Sequence, residues 1–380
     1  MNSIYISEDL EAIRLNVREL VERELLPNVV EWEEAGEMPR EILDEMGKLG
    51  FFGLRVPEEY GGIGLGHMAS VAFAEELGRC TSGGTAATII VHTDLATPYV
   101  TNFGTDEQKG RWLPKFASGE LLTAIGVTEP DAGSDVAAIR TIARRDGDGW
   151  VLNGTKMFIT NGGIADVVFI AAKTNPDVKG SRGISIFAVD RGAEGFSASR
   201  DLKKMGWRAS NTAELVLDDV WVPGDHLIGA ENQGFYYIMQ NFQNERLVIA
   251  GQALGESQKA LDLTIAHVKE RQAFGAPLWE KQTIRQRLAM RQAEVDAARE
   301  LTYRAAWLTD QGEDTVREVS EVKALVGELV NRVLYDCVQF HGGMGYITES
   351  AVERMYRDAR LASIGGGATE VMLDEVAKRL

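Results

Sequence analysis

The spacing of apolar residues changes twice along this 380-residue chain, and that change limits its possible folds more than any other feature. Up to about residue 120 the apolar side chains recur at helical spacing, as in the stretch from Leu10 to Leu26. From about Thr123 to Leu227, short apolar runs alternate with turn signals, which is typical of β-strands. Helical spacing returns after Gly234 and continues to the C-terminus. The sequence therefore predicts two helical domains with a β-domain between them.

This order indicates an α+β protein with three domains, at residues 1–121, 122–229 and 230–380. A chain of this length exceeds the usual size of a single domain. We expect the middle domain to be an antiparallel β-barrel or sandwich and the C-terminal domain to be a four-helix bundle. The predicted long helices of that bundle cover residues 235–271, 279–311 and 316–340.

Three short patterns predict local structure. Thr105 and Gln108 have the spacing of a capping box, which favours a helix starting between them. Gly147-Asp148-Gly149 is a turn signal between two alternating segments. Asn153-Gly154 is a second strong turn pair. We therefore expect a tight turn at each of these last two places.

Charge and cysteine content exclude several classes of partner. The net charge of −17 argues against nucleic acid and anionic membrane surfaces as ligands. Cys80 and Cys337 are far apart and have no metal-type spacing, so we expect neither a metal site nor a disulfide. The N-terminus lacks the basic start and apolar core of a signal peptide. No apolar run approaches the roughly 18 residues that a membrane-spanning helix needs, so we expect a cytoplasmic protein without membrane insertion.

One carboxylate interrupts an apolar helix face near the start of the C-terminal domain. Phe235, Ile238, Phe242, Glu245 and Ile249 follow steps of three and four residues, so they share one face. A glutamate on such a stripe is costly unless it is paired or functional. Burial would raise its pKa toward the value that a general base needs. The pattern alone leaves two interpretations of Glu245 open, a general base and a structural ion pair with a nearby arginine.

Four separated motifs lie in a fixed order along the chain. They are Val127-Thr128-Glu129-Pro130-Asp131-Ala132-Gly133-Ser134-Asp135, Met157-Phe158-Ile159-Thr160-Asn161-Gly162, Glu270-Arg271-Gln272-Ala273-Phe274-Gly275 and Gln339-Phe340-His341-Gly342-Gly343-Met344-Gly345-Tyr346. In order and spacing they resemble the motifs of the FAD-dependent acyl-CoA dehydrogenase family, and the resemblance covers essentially the whole chain. It implies bound FAD, an acyl-CoA substrate and α,β-dehydrogenation to the trans-2-enoyl-CoA. It also implies a homotetramer and electron-transfer flavoprotein as the oxidant.

The resemblance implies which residues contact the flavin. Thr128 and Thr160 would hydrogen-bond the ring, and Phe158 would stack on it at a position where relatives often carry tryptophan. The further FAD contacts implied in the same subunit are Ile125, Val127, Gly133, Ser134, Ile159, Ala368, Thr369 and Glu370. Ser134 also resembles a residue that contacts the pantetheine arm of the substrate. A turn serine bonded to its own backbone is the alternative for Ser134.

A second group resembles residues that reach the FAD of a neighbouring subunit. Its members are Arg271, Phe274, Gln282, Gln339, Gly342 and Gly343. A guanidinium suits a pyrophosphate because it can form two parallel hydrogen bonds, although a surface salt bridge is the alternative for Arg271. Glycines at 342 and 343 would permit close approach of the backbone.

The resemblance also bears on the catalytic base. Ile364-Gly365-Gly366-Gly367-Ala368-Thr369-Glu370 resembles the loop in which many relatives carry their catalytic glutamate, and Gly366 fills that position. Asn244-Glu245-Arg246-Leu247 resembles the isovaleryl-CoA and long-chain acyl-CoA dehydrogenases, which carry the base on this helix. The resemblance therefore implies Glu245 as the base and the Gly366 N–H as a donor to the thioester carbonyl. The implied substrate contacts are Ser134, Phe242, Arg246, Gly365 and Gly367.

Several alternatives remain open from the sequence. Asp94 is a rival base, because some alicyclic acyl-CoA dehydrogenases use an aspartate in this region, and helix capping or solvent exposure is its plain interpretation. The same fold could serve an oxidase, a flavin monooxygenase, a dehydrogenase of acyl-carrier-protein thioesters or a non-catalytic CoA-binding subunit. Because glycines 365 to 367 have no side chains, we expect a pocket wall that favours bulky or branched acyl chains.

Overall fold

The computed structural model describes residues 3–175, 178 and 180–380. Met1 and Asn2, which belong to the segment without signal-peptide character, lie outside the described residues. The N-terminal region is helical, as predicted. Its α-helices are α1 (Glu8–Leu20), α2 (Val29–Ala35), α3 (Arg40–Lys48), α4 (His67–Gly78), α5 (Gly83–Ile90), α6 (Pro98–Phe103) and α7 (Asp106–Ala117). A π-helical turn, Val91–Ala96, joins α5 to the loop before α6. The capping box at the start of α7 is confirmed: Thr105 and Gln108 each accept a backbone N–H of the other.

The middle region is a sheet of eight strands. They are β1 (Thr123–Gly126), β2 (Ile142–Asp146), β3 (Gly149–Thr160), β4 (Val167–Lys173), β5 (Ile184–Asp190), β6 (Phe196–Asp201), β7 (Thr212–Pro223) and β8 (Leu227–Ile228). Their order is β6-β7-β3-β2-β4-β5-β8, and β1 pairs with β4. Most neighbouring strands are antiparallel, but β1 and β2 run parallel to β4. Strand β3 returns the chain between β2 and β4, so that β2 and β4 can run in the same direction. Within the described residues β6 and β8 do not pair, so the sheet is not a closed barrel.

The two predicted turn pairs have different outcomes. Gly147 and Asp148 join β2 to β3, as expected. Asn153-Gly154 lies inside β3, so the predicted turn there is wrong. The pairing of β3 with β7 shifts register at this point, and Asn153 exchanges two hydrogen bonds with Asp219 across the bulge. A Cβ atom on Gly154 would lie 2.4 Å from Thr141 Oγ1, so close approach of the backbone explains the glycine.

The C-terminal region is again helical, as expected. Its elements are α8 (Gly234–Glu270), β9 (Gln272–Ala273), β10 (Ala276–Pro277), α9 (Gln282–Asp310), α10 (Val316–His341), α11 (Ala351–Ala359) and α12 (Thr369–Ala377). The three long helices pack together around one buried apolar cluster, with α4 against α8 and α9, and α11 and α12 against α10. The predicted boundaries at 121/122 and 229/230 fall in the connections from α7 to β1 and from β8 to α8. No helix in the described part of the chain is both long and apolar enough to cross a membrane.

Candidate active site

Glu245 lies on α8 with its carboxylate unpaired. Its predicted stripe is real: Ile238 is fully buried, and Phe242 packs against the same apolar cluster. Glu245 itself is partly buried and makes no hydrogen bond or ion pair with any residue that the structure describes. Burial raises the pKa of Glu245 to about 7, and the positive charges of Arg246 and Lys323 oppose this rise. The alternative of a structural ion pair is therefore not what the structure contains.

Gly366 lies directly beside this carboxylate. A Cβ atom on Gly366 would be 3.3 Å from Glu245 Oε1, so a side chain at either position points into the same space. The backbone of Gly366 has a φ of +63°, in the left-handed region that glycine adopts without strain. The same Cβ would be 2.4 Å from Ile249 Cδ1. The structure thus brings together the two positions that the sequence singled out for the base and the carbonyl donor.

The wall formed by the three glycines is covered by neighbouring side chains. Ile249 occupies the space beside Gly366, and a Cβ on Gly367 would lie 2.8 Å from Met372 Cε. Leu361 lies at contact distance from Gly365. Side chains from α8, α12 and the segment before the loop thus lie close to the three glycines, and the expected preference for bulky or branched acyl chains stays a prediction.

Arg246 provides a second charge on this face of α8. It is buried, and its guanidinium carbon lies 5.8 Å from the centre of the Phe242 ring. Its Nε atom has no hydrogen-bond partner in the described structure. Nε is also 3.7 Å from a Cβ placed on Gly367, so this donor borders the glycine loop. A buried donor without a partner is costly, which makes Arg246 a candidate ligand-binding group.

Asp94, the rival base, is already engaged. It is buried in the π-helical turn and accepts hydrogen bonds from Thr93 Oγ1 at 2.7 Å and from Asn244 Nδ2 at 3.2 Å. Arg55 NH1 lies 4.0 Å from its Oδ1. Asp94 is thus held by hydrogen bonds within the protein, whereas Glu245 accepts none from the described residues. Neither helix capping nor solvent exposure describes Asp94.

The proposed flavin-binding motifs of the middle domain lie side by side. The N–H of Met157 donates to the carbonyl of Thr128 at 2.9 Å, so β3 runs next to the Val127–Ser134 segment. The register of β3 against β7 shifts between Lys156 and Ile159, and Phe158 there has a φ of +63°. Its side chain is 65% exposed. An aromatic residue held outward in an unfavourable backbone conformation is typical of a ligand-binding position.

These residues fit an isoalloxazine ring. The hydroxyl groups of Thr128 and Thr160 make no hydrogen bonds within the described structure, so they are free to donate or accept beside the Phe158 face. Ile125 packs against the same apolar cluster as Phe242, which connects this surface to the Glu245 face of α8. Val127 and Ile159 are buried, so only their backbones can reach a ligand.

The remaining predicted contacts in this subunit lie in two places. Gly133 and Ser134 are exposed in the loop after β1, and Ser134 makes no hydrogen bond with the described residues, so it is not a self-bonded turn serine. Ala368, Thr369 and Glu370 form the N-terminus of α12. The Thr369 hydroxyl there donates to Glu328 at 3.0 Å, which leaves mainly backbone N–H groups for a ligand.

The second predicted group lies at the opposite end of the bundle. The imidazoles of His267 and His341 stack with 4.2 Å between ring centres, which joins the ends of α8 and α10. The side chains and glycines of the predicted set around this stack are exposed: Arg271, Phe274, Gln282, Gln339, Gly342 and Gly343. Phe274 is 95% exposed at a φ of +55°. Arg271 makes no ion pair with a described residue, so the salt-bridge alternative is absent.

This second group cannot serve the Glu245 site of its own chain. Glu245 and Arg271 are 26 residues apart on and just past one continuous helix, which corresponds to about 39 Å along its axis. A binding site that uses both groups needs two chains.

Sequence reasoning missed two buried lysines near the site. Lys156 is fully buried; its Nζ donates to Glu129 Oε1 at 2.8 Å and to the carbonyl of Val127 at 3.1 Å. Lys323 is also buried and donates to the carbonyls of Ala362 at 2.7 Å and Gly367 at 3.0 Å. Both are held by the segments proposed to bind ligands.

A signal for Lys323 was present in the sequence. Val319, Lys323, Val326 and Val330 follow steps of four, three and four, which is the same kind of interrupted stripe that identified Glu245. Lys156 carried a weaker signal, because the bulges in β3 break the alternation around it.

Family models match most of the chain. Those for the N-terminal, middle and C-terminal domains of acyl-CoA dehydrogenases match residues 7–120, 124–220 and 232–380. The chain belongs to the acyl-CoA dehydrogenase family. This confirms the predicted family, the three-region fold, the reaction class of an FAD-dependent oxidoreductase and the FAD cofactor.

Individual relatives agree over nearly the whole length of the chain. The mitochondrial long-chain specific acyl-CoA dehydrogenase of Sus scrofa is 39% identical over 378 residues, which are 98% of this chain and 87% of that protein. The mitochondrial isovaleryl-CoA dehydrogenase of Pongo abelii is 37% identical over 369 residues, 96% of this chain and 87% of that protein. The crystal structure of a probable acyl-CoA dehydrogenase from Mycobacterium abscessus superimposes with a TM-score of 0.95 at 42% identity, covering 99% of each chain.

Proposed function

We propose that this acyl-CoA dehydrogenase uses Glu245 to remove the α-proton of an acyl-CoA thioester and forms the trans-2-enoyl-CoA. The observation that carries the proposal is the free, partly buried carboxylate of Glu245 beside Gly366. A base needs a pKa near the working pH, and burial brings the pKa of Glu245 to about 7. Asp94 is the weaker candidate because its charge is already matched by Arg55.

The chain's own groups have separate tasks in this proposal. Glu245 takes the α-proton, while the backbone N–H of Gly366 hydrogen-bonds the thioester carbonyl as negative charge develops on it. Bound FAD supplies the acceptor for the hydride that leaves the β-carbon. Phe158 packs against the ring, with Thr128 and Thr160 at its edge. Ile249 lies beside the carboxylate, and burial of this kind keeps water away and holds the pKa of Glu245 up.

The assembly and partners form the second part of the proposal. We infer a homotetramer in which Arg271, Phe274 and Gln282 contact the FAD of a neighbouring subunit, because these side chains are exposed far from Glu245. Electron-transfer flavoprotein is the proposed oxidant. A cytoplasmic location is proposed because Cys80 and Cys337 are both free and buried.

The decisive experiment is anaerobic reduction of the Glu245→Gln variant by a panel of acyl-CoA thioesters, including palmitoyl-CoA and isovaleryl-CoA. Glutamine keeps the shape but cannot accept a proton, so flavin bleaching should fall by at least ~10³-fold while FAD and substrate still bind. Asp94→Asn is the matched control and should retain most of the rate. Retained bleaching in Glu245→Gln, or loss of it only in Asp94→Asn, would refute the assignment.

A second experiment separates a dehydrogenase from an oxidase. In a dehydrogenase, the reduced protein should react slowly with oxygen and fast with electron-transfer flavoprotein.

The pH dependence of that reduction provides an independent check. Glu245 works as a base only when ionised, and its pKa is raised to about 7. The rate of flavin reduction at saturating substrate should therefore rise with pH through about 7 and level off above it. Stopped-flow traces from pH 5.5 to 9 measure this acid limb. A rate that is already constant from pH 5.5 upward, as the ordinary glutamate pKa of 4.5 would give, would contradict a buried base.

A further inference from the structure

Lys323 is a buried cation beside the glycine loop. It lies on α10 among Val319, Val326 and Val330, all of which are buried. Its Cε atom is 3.7 Å from a Cβ placed on Gly366. A lysine in such a position must be compensated, because an unpaired buried ammonium is strongly disfavoured.

The hydrogen bonds of Lys323 enclose the loop that contains Gly366. Its Nζ donates to the carbonyl of Ala362, before the loop, and to that of Gly367, directly after Gly366. Gly366 and Gly367 both have positive φ, which leaves the loop with few conformational limits of its own. Two bonds from one buried donor therefore tie together the two ends of the loop that carries the Gly366 N–H.

The charge of Lys323 also faces Glu245. The groups that face this carboxylate are Arg246 on the same helix, Lys323 from α10 and the neutral phenol of Tyr99 from α6. Arg246 interacts with Glu375 as well, and Lys323 with Glu328. Lys323 is thus the cation that approaches Glu245 from outside its own helix.

We propose that Lys323 is a positioning residue for α-proton removal, which holds the Gly366 N–H toward the thioester carbonyl and favours the ionised form of Glu245. The inference rests on the proposed role of Glu245. It assigns two effects to one side chain, a geometric one through the loop carbonyls and an electrostatic one on the base.

The test compares Lys323→Met with Lys323→Arg. Methionine has similar length but no charge and no donor, so the acid limb of flavin reduction should move up by about one pH unit. Lys323→Arg keeps the positive charge. The acid limb of its flavin reduction should therefore stay close to the wild-type position even if the rate falls. Lys204→Met is the matched control: Lys204 is another lysine whose pKa burial lowers to about 8, but it does not face Glu245. The acid limb of flavin reduction should not move in Lys204→Met.

A measurement without turnover supports or overturns the electrostatic effect. Infrared titration of the substrate-free holoenzyme reports the carboxyl group of Glu245 directly. For each protein, the spectrum of the same protein carrying Glu245→Gln is subtracted, so that the signal of Glu245 remains. Its titration midpoint should rise in Lys323→Met and not in Lys323→Arg. If Lys323→Met does not fold, Lys323→Gln replaces it, since an amide keeps N–H donors for the loop but has no charge.

Two different failures are distinguishable. If Glu245→Gln still bleaches rapidly, the proposed function itself has failed. If Glu245→Gln is inactive but the limb and the infrared midpoint are unchanged in Lys323→Met, only the role of Lys323 is overturned. A purely structural lysine would lower the melting temperature and FAD content without moving either titration.

Discussion

At the scale of single residues, the site depends on two positions that share one space. Glu245 and Gly366 cannot both carry a large side chain, because a Cβ on Gly366 already lies 3.3 Å from Glu245 Oε1. Ile249 fills what remains. The position of the catalytic base and the shape of the glycine loop therefore depend on each other.

Gly366→Ala tests this close fit. The new methyl group would meet Ile249 Cδ1 at 2.4 Å in a backbone conformation with φ of +63°, so the variant should lose about 1–3 kcal/mol of unfolding free energy. Flavin reduction should fall as well. Gly366→Ala combined with Ile249→Ala removes the contact but not the backbone strain, and should recover only part of the loss. Gly365→Ala is the control, since its nearest neighbour would be 3.5 Å away. Thermal unfolding followed by circular dichroism measures all three; equal stability of Gly366→Ala and Gly365→Ala would contradict the prediction.

The residue pattern alone singled out Glu245, the other candidate site residues came from the family resemblance, and the geometry of the site was not predictable. Glu245 stood out because it interrupts an apolar helical stripe, and Lys323 interrupts another in the same way. The positive φ of Phe158 and the stack of His267 on His341 could not be predicted, because both depend on segments far apart in sequence. The side chains that cover the glycines were also unforeseen, since Met372 and Ile249 meet there only after folding.

At the scale of elements, β3 links the stability of the middle domain to the proposed flavin surface. Trp150 and Lys156 are buried in the core, and the bulge between Lys156 and Ile159 leaves Phe158 exposed on the outer face. Glu129 accepts hydrogen bonds from the backbone of Arg140 and from both the N–H and hydroxyl of Thr141, in addition to Lys156. The ion pair therefore connects β3 to both ends of the segment that begins at Val127.

Lys156→Met should break the connection between β3 and the segment that begins at Val127. It leaves the Glu129 carboxylate buried without its cation, which costs about 3–5 kcal/mol, and it frees the carbonyl of Val127. We expect a lower urea midpoint and a loss of FAD during gel filtration. The double variant Lys156→Met with Glu129→Leu removes the unpaired charge and should be more stable than Lys156→Met alone. Full FAD retention in the single variant would show that the pair does not hold the flavin segment.

Helices were easier to predict than strands for a physical reason. The long stripes of α8, α9 and α10 average over many residues, so their predicted ends lie within about three residues of the observed ones. Asn153-Gly154 has the composition of a turn, but the pairing of β3 with β7 continues through it as a bulge. The sequence did not predict the parallel pairing of β1 and β2 with β4 either. The direction and register of a strand depend on the strands it pairs with, and not on its own residue pattern.

At the scale of the whole molecule, α8 connects two proposed sites. The helix has 37 residues and is therefore about 55 Å long. Glu245 lies about a third of the way along the helix, and Arg271 directly follows its C-terminal end. In the proposed oligomer, each FAD would be held by one chain's Phe158 surface and by the Arg271 end of its neighbour.

Mixing two inactive variants tests this arrangement. In a pair made of Glu245→Gln and Arg271→Ala chains, one site carries both defects and the other carries neither. Random exchange of subunits should therefore restore about a quarter of the wild-type sites. Activity of unfolded and refolded mixtures, compared with each variant refolded alone, measures the recovery. Absence of recovery in mixtures that bind FAD would place Arg271 and Glu245 in the same chain's site or outside it.

The length of α8 has a consequence for inheritance when a cell makes normal and altered copies of the chain together. An allele that alters Glu245 removes only the centre on its own product. An allele that alters Arg271 instead disables centres on chains encoded by the normal allele. Either allele beside a normal one should thus leave about half of the centres intact, whereas one allele of each kind should leave about a quarter, so the two alleles partly complement each other.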